Sequence, residues 1–304
     1  MNERRLWEPP LPEAPGFEHH LVETPGLRTH VATIGEGEPV LMLHGFPQHW
    51  WQWRTIAPRV AAAGYRVICP DFRGAGWTRA DEPGFHRESV VDDLVALMDV
   101  MGVDRARVVS HDFGCVVAYQ LSYRHPERVV AAVQFAVPPA FMIFTPRLLP
   151  AFSHMPKLLM HHEGEPLNYL FSEKYLAEPL TDEEIDGYLR AHRVPEVSRA
   201  VRDLYRGLVI PEVMKLAAGS YRRVQLKPPT LAVFGREDHE FPEELVRQIC
   251  RDHVRRADRF AVAFAEGASH FITDDAPDAV VRHTLDWFAA AAAPNRSAQT
   301  GAAS

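Results

Sequence analysis

The sequence predicts an α/β fold, a mostly parallel sheet with helices on both faces and an inserted helical cap. Three observations carry this prediction. Short β-branched or aliphatic runs alternate with helical patterns from about residue 40 to residue 136, and a strong strand pattern returns at Thr230. Between Pro138 and about Arg223 the pattern is helical and rich in proline, with no comparable strand. Finally, the segments densest in reactive side chains follow predicted strands, the place where ligands bind in open parallel sheets.

In chain order, Phe17 to Glu23 and Leu27 to Ile34 read as an antiparallel pair joined at Pro25-Gly26, a turn signal. Val40 to Leu43 is the next strand, followed by a helix from Trp51 to Ala63 that Gly64 stops. Tyr65 to Cys69 is a strand leading into the glycine-rich bend Asp71-Phe72-Arg73-Gly74-Ala75-Gly76. Ser89 to Met101 carries Val90, Leu94, Leu97 and Met101 on one helical face and ends at Gly102. Ala106 to Val109 and Val129 to Ala136 are strands flanking a helix from Cys115 to Tyr123. Thr230 to Gly235 and Ala261 to Phe264 complete the sheet. The expected organisation is a core of residues 1–137 and 224–292, a cap of residues 138–223 over the carboxyl edge of the sheet, and a disordered polar tail at 293–304.

Composition narrows the function classes. The formal charge of −7 and the absence of a dense Lys/Arg block argue against a nucleic-acid surface. Cys69, Cys115 and Cys250 lack pair spacing, so neither a disulfide framework nor a zinc site is implied. The doublets His19-His20 and His161-His162 lack an HExxH-type companion, so no metal is expected. Met1 to Gly16 is polar and proline-rich, without the apolar core of a signal peptide, and Val129 to Phe144 is broken by Gln134 and Pro138-Pro139. These features predict a cytoplasmic protein with no membrane association and no cofactor.

The chemistry centres on Ser110-His111-Asp112-Phe113-Gly114, where a strand turns sharply into a helix between small residues. Such an elbow pushes its apex side chain into the open, and here the apex is a carboxylate. An Asp so placed attacks carbon to give an alkyl ester. Upstream, a strand ends in His44-Gly45-Phe46-Pro47, whose N–H can join that of Phe113 in an oxyanion hole. Downstream come Arg236-Glu237-Asp238-His239 and then Ser269-His270-Phe271, each after a strand. The order nucleophile, acid, histidine matches one hydrolase architecture and differs from the others. Asp71, on its glycine-rich bend, is a competing carboxylate with a structural role, and the orienting acid is one of Glu237, Asp238 and Glu240.

On these motifs, from about Phe17 to Phe288, the chain resembles the epoxide hydrolase group of the α/β-hydrolase superfamily. The resemblance implies a cis Phe46–Pro47 peptide, Asp112 as nucleophile, His270 as the base for water, and Asp238 as its orienting acid. It also implies a cap tyrosine that holds the epoxide oxygen. Leu204-Tyr205-Arg206 resembles that cap motif, so Tyr205 is the first donor, while the second is open, with Tyr169 a neighbour of the expected place. Phe46, Phe113, Tyr169 and Trp50 are the expected substrate contacts. The partners implied are an apolar or aromatic epoxide and water, with a homodimer the assembly left open. Haloalkane dehalogenases share the Asp elbow, but they usually carry Trp directly after the nucleophile, and fluoroacetate-type enzymes carry Arg. Phe113 supplies neither, although Trp50, Trp51 and Trp53 leave dehalogenation as an alternative. A binding-only relative of the same fold is the other alternative, and three aligned reactive groups argue against it.

Overall fold

The computed structural model describes residues 8–82 and 84–292. Its sheet begins with the antiparallel hairpin β1 (Glu18–Thr24) and β2 (Leu27–Ile34), which turns at Gly26. There follow β3 (Glu38–Leu43), β4 (Tyr65–Pro70), the two-residue β5 (Arg79–Ala80), β6 (Ala106–His111), β7 (Val129–Phe135), β8 (Thr230–Gly235) and β9 (Phe260–Ala265). Their spatial order is β1-β2-β4-β3-β6-β7-β8-β9, with β5 beside β2. From β4 through β3 to β9 every neighbour is parallel, so the carboxyl ends of β3, β6 and β8 share one edge. Every residue of β6 and β8 is buried, as expected for central strands covered on both faces. Each buried Val, Leu or Phe there contributes about 1.5–3 kcal/mol of burial energy relative to exposure.

Helices α1 (Ala57–Ala62), α2 (Ser89–Val100) and α3 (Phe113–Arg124) belong to the first half of the core. The helix expected over residues 51–63 is in fact two pieces. Trp50–Trp53 form a single 3-10 turn, whose first turn is capped by the His49 ring, and α1 starts only at Ala57. Trp50 and Trp53 are fully buried, and Pro58 cannot donate a helical hydrogen bond, so it sits in the first turn of α1, where none is needed.

Between β7 and β8 the chain forms the inserted helical cap with α4 (Met155–Leu159), α5 (Asp182–Leu189), α6 (Pro195–Leu204) and α7 (Ile210–Ala217). Thr181 and Glu184 close a capping box at the start of α5, while α6 begins at a proline. A π-helical turn, Tyr205–Val209, joins α6 to α7, with the Ile210 N–H bonded to the Tyr205 carbonyl. Pro211 follows at once and offers no N–H to continue a regular ladder. After β8 come α8 (Glu243–Ile249), the short α9 (Ile272–Asp275) and α10 (Pro277–Ala292). The expected tail at 293–304 lies outside the described residues. No helix among the described residues is long and apolar enough to cross a membrane.

Candidate active site

At the end of β6 the chain passes through Asp112 with φ 48° and ψ −119°, a left-handed conformation unusual for a residue with a side chain. It then enters α3 directly. The turn is this tight because Gly114 has no side chain: a Cβ there would lie 2.2 Å from the Leu43 carbonyl oxygen. Gly45 is required in the same way, since a Cβ would come within 2.7 Å of His111 Nδ1 and 2.8 Å of Asp112 Cβ. Two glycines thus bring the ends of β3 and β6 into contact around one carboxylate.

The Phe46 N–H donates to Asp112 Oδ1 at 2.7 Å, and the Phe46–Pro47 peptide that follows is cis. The same Gly45–Phe46 peptide is held at its other end, where the Gly45 carbonyl accepts from His44 Nδ1 at 2.8 Å. His44 Nε2 in turn accepts from the Phe72 N–H, which fixes the tautomer, and burial holds the ring's pKa down. The N–H of Phe113 lies in the first turn of α3, where helix donors have no intrahelical acceptor. Asp112 Oδ1 therefore faces the Phe46 N–H, while Oδ2 faces His270.

His270 is the second member. Its Nε2 lies 3.3 Å from Asp112 Oδ2, and its Nδ1 lies 3.3 Å from Asp238 Oδ2. Its loop is pinned from three sides. The His111 ring donates from Nε2 to the His270 carbonyl at 2.8 Å, Asp275 accepts from the Ser269 N–H, and the Tyr175 carbonyl accepts from the Phe271 N–H. Asp238 is buried, and its Oδ1 accepts from the N–H groups of Glu240 and Phe241. Of the three acids left open by sequence, Asp238 is the one that meets His270; Glu237 is exposed, and Glu240 faces the cavity.

Electrostatics follow from this geometry. Burial pushes the His270 pKa down, but hydrogen bonds and charge from Asp112 and Asp238 outweigh it and hold the ring well above its ordinary value. Burial likewise pushes Asp112 up, and the hydrogen bond and charge of His270, with the Phe46 N–H, outweigh it and keep the carboxyl well below the usual range. The geometry thus favours the carboxylate form of Asp112 beside the protonated form of His270, with Asp238 on the far side of the ring.

Above this pair lies a cavity of about 150 Å³ roofed by the cap and lined mostly by apolar side chains. Tyr205, Phe46 and Phe113 line it, and the Tyr205 ring meets Phe46 edge-on at 5.4 Å. Burial beside Asp112 raises the Tyr205 hydroxyl well above its usual pKa, so it is a protonated donor. One expected contact, Trp50, lies elsewhere and is corrected. Trp50 is fully buried in the core, edge-on to Phe17, His19 and His30, because its 3-10 turn aims it away from the sheet edge. The Tyr169 hydroxyl is buried without a hydrogen-bond partner, near enough to Tyr175 and Tyr205 to interact with them, and Lys157 lies over its ring at 3.3 Å. Sequence reading missed Tyr175 and His154, both on the cavity wall. The His154 ring is 6.1 Å from that of Tyr205, its Nδ1 is buried without a partner, and burial pulls its pKa down to about 4. Asp71, the competing carboxylate, is buried in the core, accepting from the Trp50 and Trp77 N–H groups and facing His30 Nδ1 at 2.7 Å.

With this geometry, comparison with known proteins is direct. The family model for the alpha/beta hydrolase fold matches residues 38–277. The chain belongs to the α/β-hydrolase family. Within it, Epoxide hydrolase 2 of Siraitia grosvenorii is 41% identical over 123 residues, 40% of this chain and 39% of that protein. The first relatives are thus matched over about two fifths of their own length. The soluble epoxide hydrolase of Corynebacterium is 27% identical over 89% of this chain and 97% of the relative. The crystal structure of an epoxide hydrolase from Vigna radiata superposes with a TM-score of 0.75 at 25% identity, covering 90% and 99% of the two chains.

Proposed function

We propose that this protein is an epoxide hydrolase that opens a small apolar or aromatic epoxide to a vicinal diol through an ester on Asp112. The observation that carries the reading is the carboxylate at the elbow, which lines the cavity, with one oxygen on the Phe46 N–H and the other facing His270. In the first step Asp112 Oδ2 forms a bond to an oxirane carbon as the carbon–oxygen bond of the ring breaks. The oxygen that leaves takes a proton from Tyr205, with Tyr175 and His154 the further polar groups on that wall. In the second step His270, oriented by Asp238, takes a proton from water, which attacks the ester carbonyl carbon. The charge that develops on Oδ1 is held by the N–H groups of Phe46 and Phe113. The bond from the carbonyl carbon to Oδ2 then breaks, Oδ2 leaves as a hydroxyl of the diol with the proton from His270, and the new carboxyl group returns a proton to His270, which restores the starting pair. No cofactor enters either step.

The cavity supports a substrate body about the size of one aromatic ring, since an engineered apolar cavity of about 150 Å³ accommodates benzene. The domain bounds that go with this reading are residues 1–137 and 224–292 for the core and 138–223 for the cap. A cytoplasmic setting and a homodimer belong to the same proposal. Dehalogenation with the same nucleophile lacks support at Phe113, which has no side-chain donor for a halide.

A single turnover in heavy-oxygen water, with enzyme in excess over styrene-type epoxide, tests the mechanism. The label should appear in the peptide containing Asp112 while the first diol stays unlabelled, because water attacks the ester carbonyl. Label in the diol and none in that peptide would mean that water attacks the epoxide directly. Halide release without diol formation would favour the dehalogenase.

A further inference from the structure

The cavity wall is chemically lopsided. Besides Asp112 it carries two more carboxylates, Glu212 and Glu240, and among the described residues that line it there is neither Lys nor Arg. Both glutamates are nearly inaccessible, at 3% and 5% exposure. Glu240 lies two residues past Asp238, close enough to His270 for their charges to interact. Glu212, on α7, meets the Gln120 side chain at 3.1 Å, eight residues along α3 from the elbow, which puts it about 12 Å farther down that helix.

The cations near this wall stand behind it and are already engaged. Arg87 donates to Glu212 at 3.0 Å and also meets Glu88. Lys174 lies 2.8 Å from Glu240 Oε1 as an ion pair, and its ammonium donates to the Ser153 and Tyr175 hydroxyls. His270 is shared between Asp112 and Asp238. An anionic group entering the cavity would lose its water, find no free counter-ion, and face carboxylates at both ends.

We propose that the cavity selects electrically neutral epoxides and rejects those that carry a carboxylate, with Glu240 the specificity-determining residue beside the reacting atoms and Glu212 its counterpart at the far end. The inference rests on the epoxide reading of the site and deepens it. It also disfavours halogenated acids as substrates, since their carboxylate would meet the same wall. One bare like charge at ~6 Å and an effective dielectric of ~20 would correspond to at most roughly a hundredfold in relative rate, and the Lys174 ammonium beside Glu240 reduces this.

The test compares two probes of one shape, para-oxiranyl benzamide and para-oxiranyl benzoate, by kcat/KM at neutral pH. The amide should be preferred by at least about tenfold, and Glu240→Gln should narrow that ratio by about threefold or more. Because the readout is a ratio, a general loss of activity in the variant cancels. Calorimetry of wild-type enzyme with benzamide and with benzoate, neither of which holds an epoxide, gives a reading that does not depend on turnover, and only benzamide should bind. Equal turnover of the two epoxides, tighter binding of benzoate, or an unchanged ratio in Glu240→Gln would overturn the inference while leaving the epoxide reading intact. Failure of both epoxides to open would instead count against the reaction, and the calorimetric comparison would still decide the charge selection.

Discussion

Asp238→Asn removes one negative charge and almost none of the side chain's volume. Oδ1 of Asp238 accepts from two N–H groups, of Glu240 at 2.8 Å and Phe241 at 3.2 Å, while Oδ2 faces His270 Nδ1 at 3.3 Å. In the variant the amide oxygen keeps the two backbone bonds, which directs the amide N–H at Nδ1. Two effects follow. A unit charge at about 3.3 Å is worth at most about 5 kcal/mol at an effective dielectric of ~20, enough to lower the His270 pKa by up to about three to four units. The reversed hydrogen bond also makes Nδ1 the acceptor, so Nε2 carries the proton in the neutral ring and cannot take one from water. Ester hydrolysis should slow by about 10²–10⁴, the range for a lost or misoriented general base. Alkylation, which uses Asp112 and Tyr205, should slow far less. Rapid-quench mass spectrometry resolves the two steps, and the variant should accumulate the ester to nearly one per chain. Hydrolysis at the wild-type rate would refute Asp238 as the orienting acid, and equal slowing of both steps would mean that its role is to hold the elbow.

Three further outcomes follow from the same geometry. Tyr205→Phe keeps the ring against Phe46 and removes the hydroxyl, so alkylation should fall about tenfold to thousandfold in single-turnover kinetics with the urea midpoint unchanged; an unaltered rate would assign Tyr205 to packing. Gly114→Ala drives a methyl to within 2.2 Å of the Leu43 carbonyl oxygen, so urea unfolding should show a loss of about 1–3 kcal/mol together with loss of turnover. His270 has a folded pKa above its unfolded value, so its pairing stabilises fully below about pH 6.5 and is lost as pH rises through the folded value; proton NMR should still show the ring as imidazolium at pH 7.5, and a neutral ring there would refute the ion pair.

How much of this was legible in the sequence depends on whether a residue sits at a strand end. Asp112, Asp238 and His270 each follow β6, β8 and β9, whose apolar runs are unambiguous, and the parallel order of the sheet brings those ends to one edge. Glycine spacing marked the elbow because only Gly114 tolerates the Leu43 carbonyl so close. The cap was different. His154 and Tyr175 lie in short turns and helices broken by Pro146, Pro150, Pro156 and Pro166, where no 3.6-residue period sets which face points inward. Trp50 misled through its nearness in sequence to the HGFP loop, since the 3-10 turn sends it into the core, where its ring meets Phe17, His19 and His30.

The electrostatics of the resting site bear on how one histidine serves two steps. As long as Asp112 is a carboxylate, His270 sits between two negative charges and holds its proton, so it cannot act as a base. In the proposed mechanism, esterification would convert Asp112 to a neutral group and remove one of those charges, the same size of perturbation as Asp238→Asn but at the other ring nitrogen. The imidazolium pKa would fall at that moment, and the proton it gives up balances the one that Tyr205 has donated. Nε2 is then a free acceptor facing the ester, while Asp238 still holds Nδ1–H in place for the tautomer that water activation needs. On this reading the nucleophile's own charge is the switch: base catalysis is suppressed until there is an ester to hydrolyse, and restored ionisation of Asp112 resets the pair when the diol leaves.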